Sequence, residues 1–443
     1  MARSPLRADR TVPALLVKVG HYPQSHSALG AVRTLGRLGV PVYAMVEDRL
    51  TPTALSRYLT GALVGPTTGR EPPAALVAAL REAAGEVRRR TGRRAVAVAT
   101  DDEAAVLLAE HAPELAEDLL LPPVPAGLPR RLADKGGLYA ICRATDTPTP
   151  GACAPVDRDG LLAAARRFGY PLVLKNLASF TRLERPVVGH TTVVRTEAEL
   201  LAHCAPAGRS GASSGAAAGG PSGGPPLAVL AQEYLPAEHA QDWITHLTCG
   251  PGGEPLAVFT GVKLRSWPPG AGVTTRARSI ANPELAELTV RLCRRIGYCG
   301  IADLDWRLDL RDGRYKLVDF NPRTGAQFRL FETADGVDVV RALHLSLTGR
   351  PVPQGPQLPR GYGVGQLDLL AVGSALRDGH RLPADLWPRR GTERAWLCPD
   401  DPVPAVAEAG RFGGRAARYA GRRLAGVVRA GAVRAAAGGA ARC

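Results

Sequence analysis

Eight cysteines are scattered through the chain, and none stands in a C-x-x-C pair or beside a histidine cluster. That lack argues against a zinc-binding module, and a chain of this size has little need of a disulfide framework. Reduced thiols in a cytoplasmic setting fit best. No stretch of about 18 uncharged apolar residues exists, so no helix is expected to span a membrane. The apolar run Val12–Val17 is short and Lys18 interrupts it, so no secretory leader is expected. No internal repeat is visible. Aromatic residues are scarce at 5%, while Gly (50) and Pro (38) are abundant. Acid is absent from the last segment, Arg411–Cys443, which holds eight of the arginines behind the net charge of +15. The rest of the chain is only mildly basic, which suits binding of phosphates and carboxylates without nucleic acid.

The length of 443 residues predicts roughly two to four domains, at about 100–200 residues each. Residues 13–19, Val40–Val46 and Arg94–Ala99 read as buried strands, and Ser27–Leu38 and Ala104–His111 read as helices. Thr53–Tyr58 reads as a further helix start. This alternation predicts a parallel α/β sheet. Ligands bind at the carboxyl ends of such strands. Asp101, Asp102 and Glu103 therefore either face a substrate or cap the following helix.

Pro-rich Leu121–Pro129 reads as a linker, followed by one helix over Arg131–Arg143 that contains Asp134 and Lys135. A helix at Asp159–Phe168 leads into the strand Pro171–Lys175, and Val187–Val194 reads as another strand. Ala205–Pro226 is nearly all Gly, Ala, Ser and Pro, so it cannot bury a core and is expected to be a disordered insertion. Leu227–Leu235, Pro255–Leu264 and the helix Pro283–Ile296 come next, and the helix Asp338–Leu347 precedes a Pro-rich stretch at 351–359.

The most informative segment is Asp303–Arg323. In Asp303–Asp309 the residues Asp303, Asp305, Arg307 and Asp309 share one strand face, and Leu304, Trp306 and Leu308 share the other. Tyr315–Asn321 reads as the partner strand, with Arg311-Asp312-Gly313 as a three-residue turn. That register sets Asp305 opposite Asp319 and Asp303 opposite Asn321. Two opposed carboxylates repel one another unless a cation lies between them. Hard oxygen ligands select Mg²⁺, which takes one or two carboxylates plus phosphate oxygens. Arg323 follows at the same end, suited to a phosphate or a developing acyl phosphate.

Leu317-Val318-Asp319-Phe320-Asn321-Pro322-Arg323 resembles the terminal metal-binding strand of ATP-grasp enzymes. Asp134-Lys135 followed by Thr147-Pro148-Thr149-Pro150 is similar to the family's first ATP lysine and the segment after it. Tyr170–Lys175 resembles the strand bearing the second lysine. Gln232-Glu233-Tyr234-Leu235-Pro236 resembles the hinge that holds adenine. Lys263-Leu264-Arg265 resembles a later strand with phosphate-facing cations. Within the superfamily the chain looks closest to carboxylate–amine ligases of the D-aspartate ligase-like group, where Thr100–Glu103 and Asp400-Asp401-Pro402-Val403-Pro404 also have counterparts.

The resemblance implies an N-terminal parallel-sheet, Rossmann-like domain (1–125) and a two-lobed α+β ATP-grasp domain (126–230 and 231–350). A C-terminal extension (351–443) with a disordered Arg-rich tail would follow. It implies ATP bound by Lys135, Lys175, Glu233, Tyr234 and Leu235, with one or two Mg²⁺ or Mn²⁺ ions on Asp305, Asp319 and Asn321. Arg323, Lys263 and Arg265 would stabilise an acyl phosphate formed from a carboxylate, which an amine then displaces. Small-molecule substrates such as an amino acid or small peptide are expected, and no nucleic acid. Two departures stand out. Asp319 occupies a position where the family often has Glu. The loop Asn176–Gly189 holds one Gly where a Gly-rich flap is usual, leaving Ser179, Thr181 and Arg182 as candidates to cover phosphates. A carboxylase or kinase on the same scaffold, and a nonenzymatic binder of anions, nucleic acid or membrane, stay open as alternatives. So do a homo-oligomer and a weak contact of the tail with anionic membranes, against the solvated tail that Gly421, Gly426 and Gly431 favour.

Overall fold

The computed structural model describes residues 6–68, 70–177, 188–189, 191–203, 228–269, 272–379, 381 and 391–418. The insertion at 205–226, the candidate flap residues Ser179, Thr181 and Arg182, and the tail beyond 418 lie outside them.

Short, wholly apolar segments build the first sheet. Strands β1 (Ala14–Val17), β2 (Val42–Val46), β3 (Gly61–Val64), β4 (Ala95–Ala99) and β5 (Leu119–Leu120) pair in parallel in the order β3-β2-β1-β4-β5. Such runs need cover on both faces. Helix α1 (Ser27–Gly36) packs on the face of Ala14 and Leu16. Helices α2 (Pro73–Thr91) and α3 (Asp102–Glu110) pack on the face of Leu15 and Val17. Helix α4 (Ala112–Leu115) closes the unit. The strand order reverses between β1 and β4, and a crevice at their carboxyl ends results.

Thr53–Tyr58 is a turn and not the expected helix. The Thr51 hydroxyl accepts from the Ala54 amide at 3.3 Å, so the side chain competes with helix propagation. Ser56 and the Arg57 amide bind Asp401 instead.

The helix expected over Arg131–Arg143 is two helices, α5 (Leu128–Ala133) and α6 (Lys135–Ala144). Asp134 breaks them apart with extended backbone (ψ 131°) and caps α6, accepting from the Gly137 amide at 2.7 Å. Gly137 is needed there, because a Cβ would lie 2.4 Å from the Arg131 carbonyl oxygen.

Strands β6 (Ala152–Cys153), β7 (Leu172–Asn176), β8 (Thr192–Val194) and β9 (Val229–Glu233) form an antiparallel sheet in the order β6-β9-β7-β8. It packs on α7 (Arg158–Phe168) and α8 (Glu197–Ala202). The third sheet has seven strands. These are β10 (Ala240–Cys249), β11 (Pro255–Trp267), β12 (Val273–Ser279), β13 (Gly300–Asp309), β14 (Arg314–Asn321), β15 (Gly361–Gly363) and β16 (Thr392–Arg394). Their order is β14-β13-β10-β11-β12-β15-β16.

One face of this sheet buries Trp243, Leu247, Leu304, Trp306 and Phe320 against α5, α6 and α9 (Pro283–Ile296). The other contributes Ile244, Phe259 and Ile301 to a core shared with α1 and α10 (Val339–Leu347). The N-terminal sheet and the seven-stranded sheet are thus joined by common apolar burial. The residues beyond 350 do not stand apart: β15, β16 and α11 (Gly365–Arg377) complete the large sheet. Residues 403–418 are helical, with Arg411 on Asp48 and Arg415 on Glu408, so this part of the basic segment is not the solvated coil expected. No helix among the described residues is long and apolar enough to cross a membrane.

Candidate active site

The hairpin β13–β14 pairs Asp303 with Asn321 and Asp305 with Asp319. The expected register holds at these residues through two compensating differences. Near the turn Asp309 pairs with Arg314, so the loop has one residue more than supposed, and Val318 forms a bulge between Asp305 and Trp306 that restores the pairing. The bulged stretch is held from outside. The Leu317 amide donates to the Pro148 carbonyl (2.8 Å), and the Thr149 hydroxyl donates to the Leu317 carbonyl (3.0 Å). The Thr147–Pro150 segment therefore lies along the edge of β14.

Each opposed carboxylate has its own lysine. Lys263 on β11 reaches over β10 to Asp305, with Nζ 2.6 Å from Oδ1. Lys135, at the first position of α6, pairs with Asp319. The break at Asp134 sets that geometry, since it frees the Lys135 amide to bond the Leu177 carbonyl beyond β7 (3.0 Å). Lys175 on β7 is buried and forms no ion pair among the described residues. Burial, with Lys135 nearby, brings its ammonium from 10.5 down to about 8, against the pull of Asp319 and Asp305. Burial raises Asp305, and Asp303 and Asp319 add to that, so its carboxyl stays above the ordinary value despite Lys263. Burial also acts on Asp319, but Lys135 and Lys175 outweigh it and hold that carboxyl below the ordinary value.

Arg323 lies where the hairpin meets the N-terminal crevice. Its Nη1 donates to Asp303 (3.0 Å), and its Nε is 3.4 Å from Asp102 at the start of α3. The Thr324 amide bonds the Ala99 carbonyl at the end of β4 (3.1 Å). On its other side Asp303 faces His246, whose Nε2 is 2.9 Å away and fully buried. Burial pushes Asp303 up, but His246, Arg323 and Lys263 overcome it and hold the carboxyl well below the usual range. Gly325 makes this packing feasible, because a Cβ would fall 2.3 Å from the His246 ring and 2.5 Å from the Asp303 carboxylate.

The acidic turn divides its labour. Asp101 is the helix cap of one expectation, accepting from the amides of Ala104, Val19 and Gly20. Asp102 meets Arg323. Glu103 accepts from the Tyr22 hydroxyl at 2.8 Å, and burial and then Asp101 push its carboxyl up to about 8.

Glu233, Tyr234 and Leu235 sit at and just beyond the end of β9. Glu233 is anchored by Arg311 of the hairpin turn (2.8 Å) and by the Gly151 amide (3.2 Å). Leu235 is buried and Tyr234 half-buried. Arg265 is two residues beyond Lys263 on β11 but is drawn elsewhere. A bulge at Leu264 intervenes, and its guanidinium forks onto Asp368 of α11 with two 2.9 Å bonds.

The hairpin suits a hard divalent cation. Two carboxylates oppose each other, and Asn321 donates its Nδ2 to the Asp303 carbonyl (3.1 Å), so its amide oxygen is the atom that could face a cation. Among the described residues no group of three or more His, Cys, Asp or Glu converges as a ligand set. A cation here would complete its shell from phosphate oxygens and water.

His246 was not singled out from the sequence, nor was the Lys263–Asp305 pair. Both depend on β10, whose Ile244 and His246 lie beside Asp305 and Asp303. No clean alternation marks Trp243–Cys249, and the partner strand β13 begins about fifty residues later.

No family model matches the chain. The D-aspartate ligase of Enterococcus faecium (strain Aus0004) is 22% identical over 335 residues, covering 73% of this chain and 74% of that protein. Among solved structures, an ADP complex of N5-carboxyaminoimidazole ribonucleotide synthetase superposes with a TM-score of 0.56 at 13% identity, over 86% of this chain and 87% of that one. The biotin carboxylase domain of Hydrogenobacter thermophilus 2-oxoglutarate carboxylase, solved with MgADP and bicarbonate, gives a TM-score of 0.52 at 15% identity, over 77% and 71%. At these identities the likeness is one of fold. In this chain a parallel N-terminal sheet is followed by two further sheets that bring two lysines to one acidic hairpin, the arrangement that the resemblance read from the sequence implies. In fold, the chain is similar to these ADP-binding enzymes, as the resemblance to ATP-grasp proteins implies.

Proposed function

We propose that the protein is an ATP- and Mg²⁺-dependent (or Mn²⁺-dependent) ligase that activates a carboxylate as an acyl phosphate and couples it to an amine, releasing ADP and phosphate. The observation that carries this reading is the convergence of Lys135, Lys175, Asp305, Asp319 and Arg323, from separate elements, on one face of one hairpin. The similarity to a D-aspartate ligase supports an amino acid or small peptide as a reactant.

Phosphoryl transfer asks a protein chiefly to position reactants and neutralise charge. Lys135 and Lys175 supply positive charge to the phosphates. Asp305, Asp319 and the Asn321 amide oxygen would hold the cation, which would supply polarisation of the transferred phosphoryl group. Arg323 presents a planar guanidinium at the crevice mouth, where it binds the substrate carboxylate and then the acyl phosphate. Asp303, backed by His246, fixes that guanidinium. Glu233 anchors the hinge through Arg311, so that the backbone of Tyr234 and Leu235 meets the adenine. Lys263 lies close enough to Asp305 to reach the same phosphates, whereas Arg265 supports the wall through Asp368.

The test is an ADP-release screen over amino acids and small peptides supplied as acid-plus-amine pairs, with products weighed by mass spectrometry. ADP release that depends on both partners, with an amide product, is expected. ADP release without any amide would point to a kinase or carboxylase instead, and no ATP turnover with any pair would end the ligase reading.

A further inference from the structure

The opposed carboxylates of the hairpin carry a charge arrangement that goes further than a list of ligands. Asp305 and Asp319 are direct cross-strand neighbours, a placement that is unfavourable for two anions alone. Each is relieved by one lysine from a different element, Lys263 from β11 and Lys135 from the start of α6. A third lysine, Lys175, lies buried beside them and pairs with neither. Three ammonium groups therefore surround two carboxylates.

We infer that Lys135 and Lys263 stand in for the divalent cation, occupying Asp319 and Asp305 until a nucleotide draws both ammonium groups onto its phosphates. The inference rests on the functional reading above and concerns the order and interdependence of binding at that site. A divalent ion arriving alone must displace both lysines and leave three ammonium groups unpaired beside a new double charge. A nucleotide arriving alone finds two lysines already engaged and two carboxylates facing its phosphates. When both arrive, the lysines move to phosphate oxygens and the carboxylates pass to the metal, so no like charges are left in contact. Metal and nucleotide thus lower one another's binding cost, and the effect is reciprocal by linkage. The cation's place is kept by the protein's own side chains, which relieves the repulsion between Asp305 and Asp319.

Equilibrium dialysis of Mn²⁺ against the full-length protein tests this without turnover. The wild-type chain is expected to bind Mn²⁺ at least about 10-fold more tightly with saturating ADP on both sides of the membrane than without it. Lys263→Met and Lys135→Met each remove a competing cation, so each variant should bind Mn²⁺ alone about 10-fold more tightly than wild type. With ADP present that advantage should vanish. The two lysines sit on separate elements, so a folding defect in one variant leaves the other informative, with circular dichroism as the check. If wild type binds Mn²⁺ equally well with and without ADP, or if the folded variants bind Mn²⁺ alone no better than wild type, the exchange is overturned while the ligase reading stands. If wild type takes up neither Mn²⁺ nor ADP, both fall.

Discussion

Two single residues separate the demands of the site from those of the fold. Lys175 is 7% exposed, and burial brings its ammonium from 10.5 down to about 8. At pH 7 it is charged in both folded and unfolded chains, and the folded chain bears the cost of burying it. The sign follows from linkage. Between about pH 8 and 10.5 the unfolded lysine holds the proton more often, so stability rises with pH there, and the penalty is full below about 8. Lys175→Met is therefore expected to stabilise the protein at pH 7 by about 2 kcal/mol while weakening nucleotide binding. Differential scanning fluorimetry at pH 7 checks it, and a lower melting temperature in the variant would contradict the assignment of Lys175 as a strained functional lysine. Asp319→Asn asks the converse question. The fold should survive, since the amide is isosteric and the side chain is 28% exposed. Mg-ATP turnover should fall by orders of magnitude, as for other metal-dependent phosphoryl transfer. Unchanged turnover would remove Asp319 from the site.

At the scale of elements, the break between α5 and α6 is the feature that places Lys135. Asp134 caps α6 through the Gly137 amide, and the chain turns there so that the next residue can reach Asp319. Asp134→Ala should cost about 1 kcal/mol, the usual value of a lost helix cap. It should also weaken nucleotide binding, read by calorimetric titration with ADP, because a continuous helix would carry Lys135 away. Equal ADP affinity in the variant would show that Lys135 is placed by other contacts. The sequence did not disclose this break, because Arg131–Arg143 has unbroken helical spacing and only the Asp-x-x-Gly capping pattern interrupts it. The hairpin was legible for the opposite reason. Its alternation and its Gly313 turn are local, and Gly313 does take positive φ (69°). The bulge at Val318 was not legible, since it answers to the Pro148 and Thr149 contacts from far along the chain. Strand β10 escaped because Thr245, His246 and Thr248 are all fully buried, so its polar pattern resembles no half-exposed strand.

At the scale of the whole molecule, the chain closes on itself. Arg33 on α1 is buried, and its Nε lies 2.9 Å from Asp401, which is buried as well. The same guanidinium donates to the carbonyls of Ala395, Trp396 and Asp401, just beyond β16. Asp401 also accepts from the Ser56 hydroxyl (2.7 Å) and the Arg57 amide (3.0 Å). One carboxylate thus ties the last strand of the large sheet to the N-terminal unit, and the parallel crevice stays seated on Arg323. Three-residue strands such as β15 and β16 are too short to read from periodicity, which is why the region beyond 350 looked like a separate extension. Asp401→Ala leaves the Arg33 charge buried without its carboxylate, a change that typically costs about 3–5 kcal/mol. The melting temperature should fall by roughly 10 °C. Asp400 supplies the control on the same segment. It pairs with Arg37 at 2.9 Å, but its side chain is 45% exposed, so Asp400→Ala should cost less than about 1 kcal/mol. Thermal melts of the two variants side by side decide the matter. Equal melting temperatures would mean that the C-terminal segment rests on the N-terminal unit without holding it, and the apolar core shared by α1, α10 and the large sheet would then carry the junction alone.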